Sequence, residues 1–522
     1  MAVAPHFLAS RAAIDVLKEG GDAIEAMVAA AATIAMVYPH MTGLGGDAFW
    51  LIHEPGQGPV AIDACGGAAA RANLSFYAGR GLDTIPVRGP LAANTVAGSV
   101  SGWECALALS KRRWNGRMPL SRLFAEAIRY GEQGVPVTGS QMRSTRTKQA
   151  ELESQPGFRE HFLVDGETPL EGSLFFQTKM AATLRHLARA GLDDFYRGEL
   201  AQTIAADLAA CGSPLALADL NGYRAELTQP LALEHSLGTL YNLPPPTQGA
   251  VSLMILGILD RMGLSQMEPD SADYVHCVVE ATKQAFIVRD AYITDPRDMR
   301  IDAQDCLKPA FLNPLAKAIT LDQALPWGNG RGPGDTVWMG VVDGQGRAVS
   351  FIQSIYHEFG SGVVLEQSGL NWQNRGCSFS LQEGALNELK PGRKPFHTLN
   401  PALARLHDGR VMVYGTMGGD GQPQTQAAVF TRAMVYGQGL QQAVNAPRWL
   451  LGRTWGRPSD SLKLEARFSG EVVESLRRRG HRIEILQDFD EAMGHAGAIV
   501  WHPDGALEGA SDPRSDGGVA SF

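Results

Sequence analysis

Gly332-Pro333-Gly334-Asp335-Thr336-Val337-Trp338-Met339-Gly340-Val341-Val342-Asp343 is the stretch on which the reading of this chain turns. A Gly/Pro segment runs directly into an apolar run that starts at Thr336. Gly344-Gln345-Gly346 then separates that run from Ala348-Val349-Ser350-Phe351-Ile352-Gln353-Ser354, so the pair predicts a β-hairpin. Taken alone, the junction is loop-to-strand punctuation. A threonine at a strand start has a second option. Its hydroxyl can attack the preceding carbonyl, shift the acyl group from N to O, and be freed by hydrolysis. Thr336 would then hold a nucleophilic hydroxyl and its own α-amine as base. Local composition does not choose between the two.

Upstream of this point the chain reads as mostly helical. Ser10 is expected to cap a helix through Leu17, with Gly20-Gly21 as its stop. Asp22 should cap the next, which carries Ile24, Met27, Val28 and Ala31 on one side. Residues 118–300 also look helical, with 120–132 starting at Pro119 and with 271–292; Pro244-Pro245-Pro246 makes a rigid turn. Strand-like runs follow at 402–406, 410–414, 482–486 and 497–501. Asp408-Gly409 and Asp504-Gly505 are hairpin turns, and helices are expected at 424–436 and 469–479. Helices flanking hairpin-built sheets predict a layered α+β body, with a helix-rich first part and a sheet-rich second part in one unit.

Composition narrows the function. Of 522 residues, 44% are hydrophobic and 19% charged, which is globular and excludes wholesale disorder. The net charge of −9 gives no bulk footprint for nucleic acid. The most apolar stretch, 26–37, falls short of the ~18 residues a membrane span needs. The start lacks a basic region before its apolar residues, so a cytoplasmic protein with no membrane partner is expected. Cys65, Cys105, Cys211, Cys277, Cys306 and Cys377 form no CxxC pair, which argues for scattered thiols over disulfides or zinc. The 13 histidines show no metal-ligand spacing. HExxH, GxSxG and SxxK motifs are absent, and no metal or cofactor is expected.

Two glycine clusters stand out. Gly43-Leu44-Gly45-Gly46-Asp47 is neither a Walker A motif nor GxGxxG, and reads as a tight strand entry. Gly415-Thr416-Met417-Gly418-Gly419-Asp420 sits between a strand and a helix. Its backbone N–H groups could bind an oxyanion, or its glycines could simply serve a turn with positive φ; both readings stay open.

The ordered set of motifs resembles the γ-glutamyltransferase family of N-terminal nucleophile hydrolases, over nearly the whole length. Residues 17–26 resemble the family's LKEGGNAVDA opening, and Gly43-Leu44-Gly45-Gly46 its GxLGGGGF turn. Pro244-Pro245-Pro246-Thr247-Gln248-Gly249 resembles PPPSSGG. Asp335-Thr336, with Phe359-Gly360-Ser361-Gly362, resembles the processing site and TTFGTG. Thr416-Met417-Gly418-Gly419 resembles the SPGG oxyanion turn, and residues 509–514 resemble GASDPR.

The resemblance implies a four-layer αββα fold and autocleavage between Asp335 and Thr336. The large chain would be 1–335 and the small chain 336–522, held together as a heterodimer, with further dimerisation left open. Thr336 would be the nucleophile, Ser354 a hydroxyl beside it, and Gly418 and Gly419 the oxyanion donors. Arg88 matches the arginine that grips a substrate carboxylate, or is a surface arginine. The sequence also departs from the family. Tyr356, Arg375 and Ser378 stand where the family holds a substrate ammonium, and His397-Thr398 replaces a Ser-Ser pair. The segment 379–397 is short, which implies loss of a lid loop. A guanidinium beside an ammonium costs affinity. The changes favour a small-molecule amide with a carboxylate and no ammonium, as in the oxamate-hydrolysing branch. Arg88, Arg375 and His397 would bind the carboxylate. Alternatives are a γ-glutamyl hydrolase or transpeptidase, a glutaryl-type acylase of β-lactams, or an unprocessed non-catalytic relative.

Overall fold

The computed structural model describes residues 1–328, 334–454 and 459–522. Gly332 and Pro333 of the opening stretch lie outside the described residues, as does the side chain of Asp335.

Two sheets lie face to face. The first runs in the order Gly518–Ala520, Ala2–Ala4, Asp335–Val342, Ala348–Tyr356, Asp47–His53, Val60–Ala64, Glu226–Thr228. The second runs Leu507–Ser511, Ala496–Trp501, Val411–Thr416, Ala402–Leu406, Gly238–Asn242, Leu231–His235. Both sheets mix strands from before and after Thr336. The strands alternate faces, so neighbouring positions feed different cores. Trp338, Val342, Ile352, Phe49 and Leu51 meet Leu403, Val413 and Ile499 between the sheets. Val337, Met339, Val341, Ala48 and Trp50 pack outward with the helices Phe7–Lys18 and Ala23–Val37. On the far side, Ala402, Ala404, Met412 and Tyr414 pack with the helices Gly249–Leu259, Ala272–Tyr292 and Gly421–Phe430. The result is a four-layer αββα sandwich.

Trp338 spans the space between the sheets, and the facing strands clear it. A Cβ on Gly415 would lie 2.2 Å from its Cδ1, and one on Gly497 2.5 Å from its Cζ3. Its indole N–H donates to Ser350 Oγ at 2.9 Å, so the ring buries no orphaned donor. Helix Ala23–Val37 is buried on every side, which explains why it is apolar all round. Its start is fixed by a capping box: Asp22 Oδ1 accepts from Ile24 N and Glu25 N, and Glu25 Oε2 accepts from Asp22 N at 3.0 Å.

Three expectations need correction. The first helix is capped by His6, whose Nδ1 accepts from Leu8 N at 3.2 Å. Ser10 lies inside it and donates to Gly518 O at 2.7 Å, an ordinary way for a mid-helix serine to find a partner. The helix expected at 120–132 is two, Leu120–Leu123 and Ala125–Gln133. Buried Phe124 makes the break and packs against Trp103, ring centres 5.9 Å apart. The supposedly helical 118–300 holds the hairpin Leu231–His235/Gly238–Asn242, where Leu231, Leu233 and His235 turn inward in strict alternation. All six cysteines are free thiols. No helix among the described residues is long and apolar enough to cross a membrane.

Candidate active site

Thr336, Ser354 and Asp47 stand at the same end of three adjacent strands. Each shares the face of an inter-sheet residue two positions away: Trp338, Ile352 and Phe49. Ser354 pairs directly with Asp47 across one strand boundary. Across the other, Gln353 pairs with Val337 and Tyr356 with Asp335, so Ser354 and Ile355 together oppose Thr336. That is a β-bulge, which re-aims the strand end. Ser354 Oγ accepts from Tyr356 N at 2.8 Å. Tyr356 itself has φ of 83°, a strained value for a residue with a bulky side chain.

The second sheet supplies the opposite wall. Beyond Thr416 the chain turns through Gly418 and Gly419, with φ of 120° and 49°. Positive φ suits glycine, which carries no Cβ to strain such a turn. Among the described residues, neither of these two N–H groups donates to a protein acceptor. The turn is held from behind: Thr454 Oγ1 donates to Gly418 O at 3.1 Å, and Gln248 Nε2 to Gly419 O at 2.9 Å. Gln248 Nε2 also donates to Thr398 O at 2.8 Å, which ties the turn to the segment carrying His397 and Thr398. The approach to Thr336 threads between these parts. A Cβ on Gly334 would lie 3.1 Å from Thr398 Oγ1, 3.4 Å from Tyr356 Cε2 and 3.5 Å from Gly419 Cα.

Arg375 begins a short 3₁₀ turn, Arg375–Ser378, and is 1% exposed. Its guanidinium carbon sits 3.7 Å from the centre of the Tyr356 ring, and Nη1 is 3.4 Å from Thr398 Oγ1. Nε and Nη2 have no hydrogen-bond partner among the described residues. Burial lowers the pKa of this arginine, while Tyr356 and Asp47 oppose the shift. Asp47 is fully buried; Oδ1 accepts from Gly66 N at 3.2 Å and Gly98 N at 3.0 Å. Desolvation pushes its carboxyl up to about 7, against the pull of Arg375 and these N–H groups. His397 Nε2 lies 3.1 Å from Asp47 Oδ2. Burial first, then the Arg375 and Lys394 charges, hold that imidazole neutral.

Thr336, Ser354, Tyr356, Arg375, Thr398, Gly418 and Gly419 therefore surround one end of the inter-sheet space. Ser378 follows in the Arg375 turn, half-buried, with its hydroxyl unpartnered among the described residues. His397 meets a carboxylate of the protein and, being neutral, is ill suited to bind one from a substrate. Arg88 is committed elsewhere. Its Nε and Nη2 go to Glu151 at 3.0 and 2.6 Å, and Nη1 to the carbonyls of Glu358 and Gly360. Cys377 is half-buried, its thiol pushed up to about 12 by burial, which makes it a poor nucleophile.

Two residues escaped the sequence reading. Asp47 was covered by the strand-entry interpretation of its glycine cluster, yet an acid at the head of the apolar run Ala48-Phe49-Trp50-Leu51-Ile52 was the available signal. Gln248 lay inside a quoted motif, but its pairing with residues 150 and 171 positions away carries no local trace.

Comparison with known proteins gives the family. The Gamma-glutamyltranspeptidase family profile matches residues 9–522. An oxamate amidohydrolase proenzyme of Klebsiella pneumoniae is 60% identical over 522 residues, covering 100% of this chain and 98% of that protein. A glutathione hydrolase proenzyme of Escherichia coli is 29% identical, covering 97% and 89%. The crystal structure of cephalosporin acylase from Bacillus halodurans superposes with a TM-score of 0.90 at 32% identity, covering 100% and 95%. With its αββα layers and the motif order described above, the chain belongs to the gamma-glutamyltranspeptidase family of N-terminal nucleophile hydrolases.

Proposed function

We propose that this chain is a self-processing amidohydrolase that cleaves small carboxylate-bearing amides, oxamate first among them. Arg375 carries the reading. A buried guanidinium with two adjacent unpaired donors, beside Thr398 and Tyr356, calls for an anion, and a planar carboxylate fits its fork. A substrate ammonium at that place would meet like charge, which disfavours γ-glutamyl compounds. The named activity of the Klebsiella relative supports the same substrate.

Maturation comes first. Thr336 Oγ attacks the Asp335 carbonyl carbon, the C–N bond breaks as the nitrogen takes a proton, and water hydrolyses the resulting ester. The α-amine of Thr336 is thereby freed. In turnover that amine accepts the Oγ proton as Oγ attacks the amide carbon of oxamate, whose carboxylate rests on Arg375. The oxyanion is received by the N–H groups of Gly418 and Gly419. Ammonia leaves, and water releases oxalate from the threonine ester. The two chains, 1–335 and 336–522, stay together as a heterodimer, a reading supported by the mixed strand order of both sheets.

Intact mass measurement with a substrate panel tests this. Wild-type protein should appear as two chains with Thr336 at the new N-terminus, and Thr336→Ala as one. Ammonia release from oxamate should exceed cleavage of γ-glutamyl anilides. Faster anilide cleavage defeats the substrate assignment; an uncut wild-type chain defeats the role of Thr336. The full-length likeness to cephalosporin acylase favours a second reading, because a glutaryl side chain also ends in a carboxylate. A glutaryl amide in the same panel separates the two.

A further inference from the structure

The chain that leads to Thr336 is gripped by side chains that take no part in the site. On helix Ala272–Tyr292, Lys283 Nζ lies 2.7 Å from Glu280 Oε1, and the two side chains are 3% and 1% exposed. Both also bond the backbone of one residue. Lys283 Nζ donates to Leu325 O at 2.7 Å, and Leu325 N donates to Glu280 Oε2 at 2.9 Å. One turn earlier on the same face, His276 Nε2 donates to Thr320 O at 2.8 Å. With that nitrogen protonated, His276 Nδ1 accepts from His481 Nε2 at 2.8 Å. Ala324 N donates to Arg479 O at 2.7 Å, and the Arg479 guanidinium reaches Asp273 on the same helix. The Trp327 ring packs on Phe286, centres 5.5 Å apart.

His276, Glu280 and His481 bring ligand atoms within 4.8 Å of one another, an arrangement a metal ion could use. A cation there would have to displace the Lys283 ammonium from Glu280 and break the histidine pair, so the cluster is better read as a clamp. Desolvating two charges is costly, and an apolar pair of similar volume would fill the space as well. What the ion pair adds is register: it fixes both backbone groups of Leu325 at once. Leu325 stands ten residues before Asp335. At the other end, Gly334 N donates to Thr454 O at 3.1 Å. Among the described residues, no hydrogen bond or ion pair joins Glu280 or Lys283 to Arg375, Thr398, Gly418 or Gly419.

We propose that the Glu280–Lys283 pair is a positioning device for self-cleavage: by fixing both backbone groups of Leu325, ten residues before Asp335, it anchors the chain on the near side of the bond that the Thr336 hydroxyl attacks. The proposal rests on the reading that the chain cuts itself at that bond. Its action ends with maturation; turnover of cleaved enzyme does not need it.

The test follows cleavage of purified full-length protein by intact mass, with Thr336→Ala as the uncut reference. The double variant E280L/K283M removes the clamp without leaving a lone buried charge. It should fold, by circular dichroism and melting, yet cleave at least about ten-fold more slowly, since a misplacement of about 1 Å can cost ~100-fold. Once cleaved, it should hydrolyse oxamate within about two-fold of wild type, because the clamp supplies no transition-state contact. Cleavage of the folded double variant at the wild-type rate overturns the proposal. So does a matching loss of turnover after cleavage, which would mark a general structural role. If the double variant does not fold, Leu325→Pro leaves both charged side chains in place and removes the bonded N–H together with the leucine side chain; unchanged cleavage there overturns the proposal equally. A wild-type chain that never cleaves sinks the underlying reading instead.

Discussion

Asp47 Oδ2 lies 3.1 Å from His397 Nε2, with both side chains fully excluded from solvent. The carboxyl is also the counter-charge to Arg375 and is pushed up to about 7 by desolvation. A raised carboxyl pKa means the folded state resists ionisation. The penalty is absent below the ordinary value of 3.8, grows as pH rises to about 7, and is constant above. Asp47→Asn keeps an oxygen for the Gly66 and Gly98 N–H groups and cannot ionise. Its stability relative to wild type should rise by up to roughly 4 kcal/mol across that window and then level off. Melting temperatures of both proteins between pH 4 and 8 check this; parallel curves would contradict it.

Arg375→Gln removes the fork proposed to hold the substrate carboxylate. Charge-assisted hydrogen bonds contribute about 1.5–3 kcal/mol each, so KM for oxamate should rise by about ten-fold or more. Oxamide, which has the amide but no carboxylate, should be hydrolysed equally by variant and wild type. Arg88→Gln should instead lower the melting temperature while leaving KM for oxamate near its wild-type value, because Arg88 is bonded to Glu151 and two backbone carbonyls.

Gly418→Ala places a Cβ on a backbone with φ of 120°, 3.2 Å from Thr454 Oγ1. The turn must shift, and with it the N–H groups of Gly418 and Gly419. Losing one oxyanion donor typically costs about 10²–10³ in kcat. Steady-state kinetics on protein already cleaved should show kcat falling with KM little changed.

Gly415→Ala would set a Cβ 2.2 Å from Trp338 Cδ1 at the centre of the sandwich. Overpacking of this kind costs typically 1–3 kcal/mol. Denaturant unfolding followed by tryptophan fluorescence should show an earlier midpoint; an unchanged midpoint would mean that Trp338 has room to move.

What the sequence made legible was local. The hairpin around Gly344-Gln345-Gly346, the Asp22 cap and the glycine turn at 418–419 each carry their cause within a few residues. The hairpin at 231–242 did not read out because its two strands are short and its alternation includes the half-buried Ala232 and the exposed Glu234. His6 won the first cap from Ser10 because Ser10 found its partner in Gly518, at the other end of the chain. The same distance hid Asp47 and Gln248. A buried carboxyl beside His397, or an amide bridging Thr398 and Gly419, exists only once the two sheets have closed.

Strand Ala2–Ala4 pairs with Gly518–Ala520 on one side and with Gly340 and Val341 on the other, so one end of the chain is stitched between residues that self-cleavage after Asp335 would place on the other fragment. Before the cut, unfolding and refolding are events within a single molecule. Afterwards the fragments must find each other again, and recovery becomes bimolecular and dependent on concentration. A break that freed the Thr336 amine would thus discard the tether that could rebuild the fold. The lifetime of the mature enzyme would then be set by how slowly its interleaved sheets come apart.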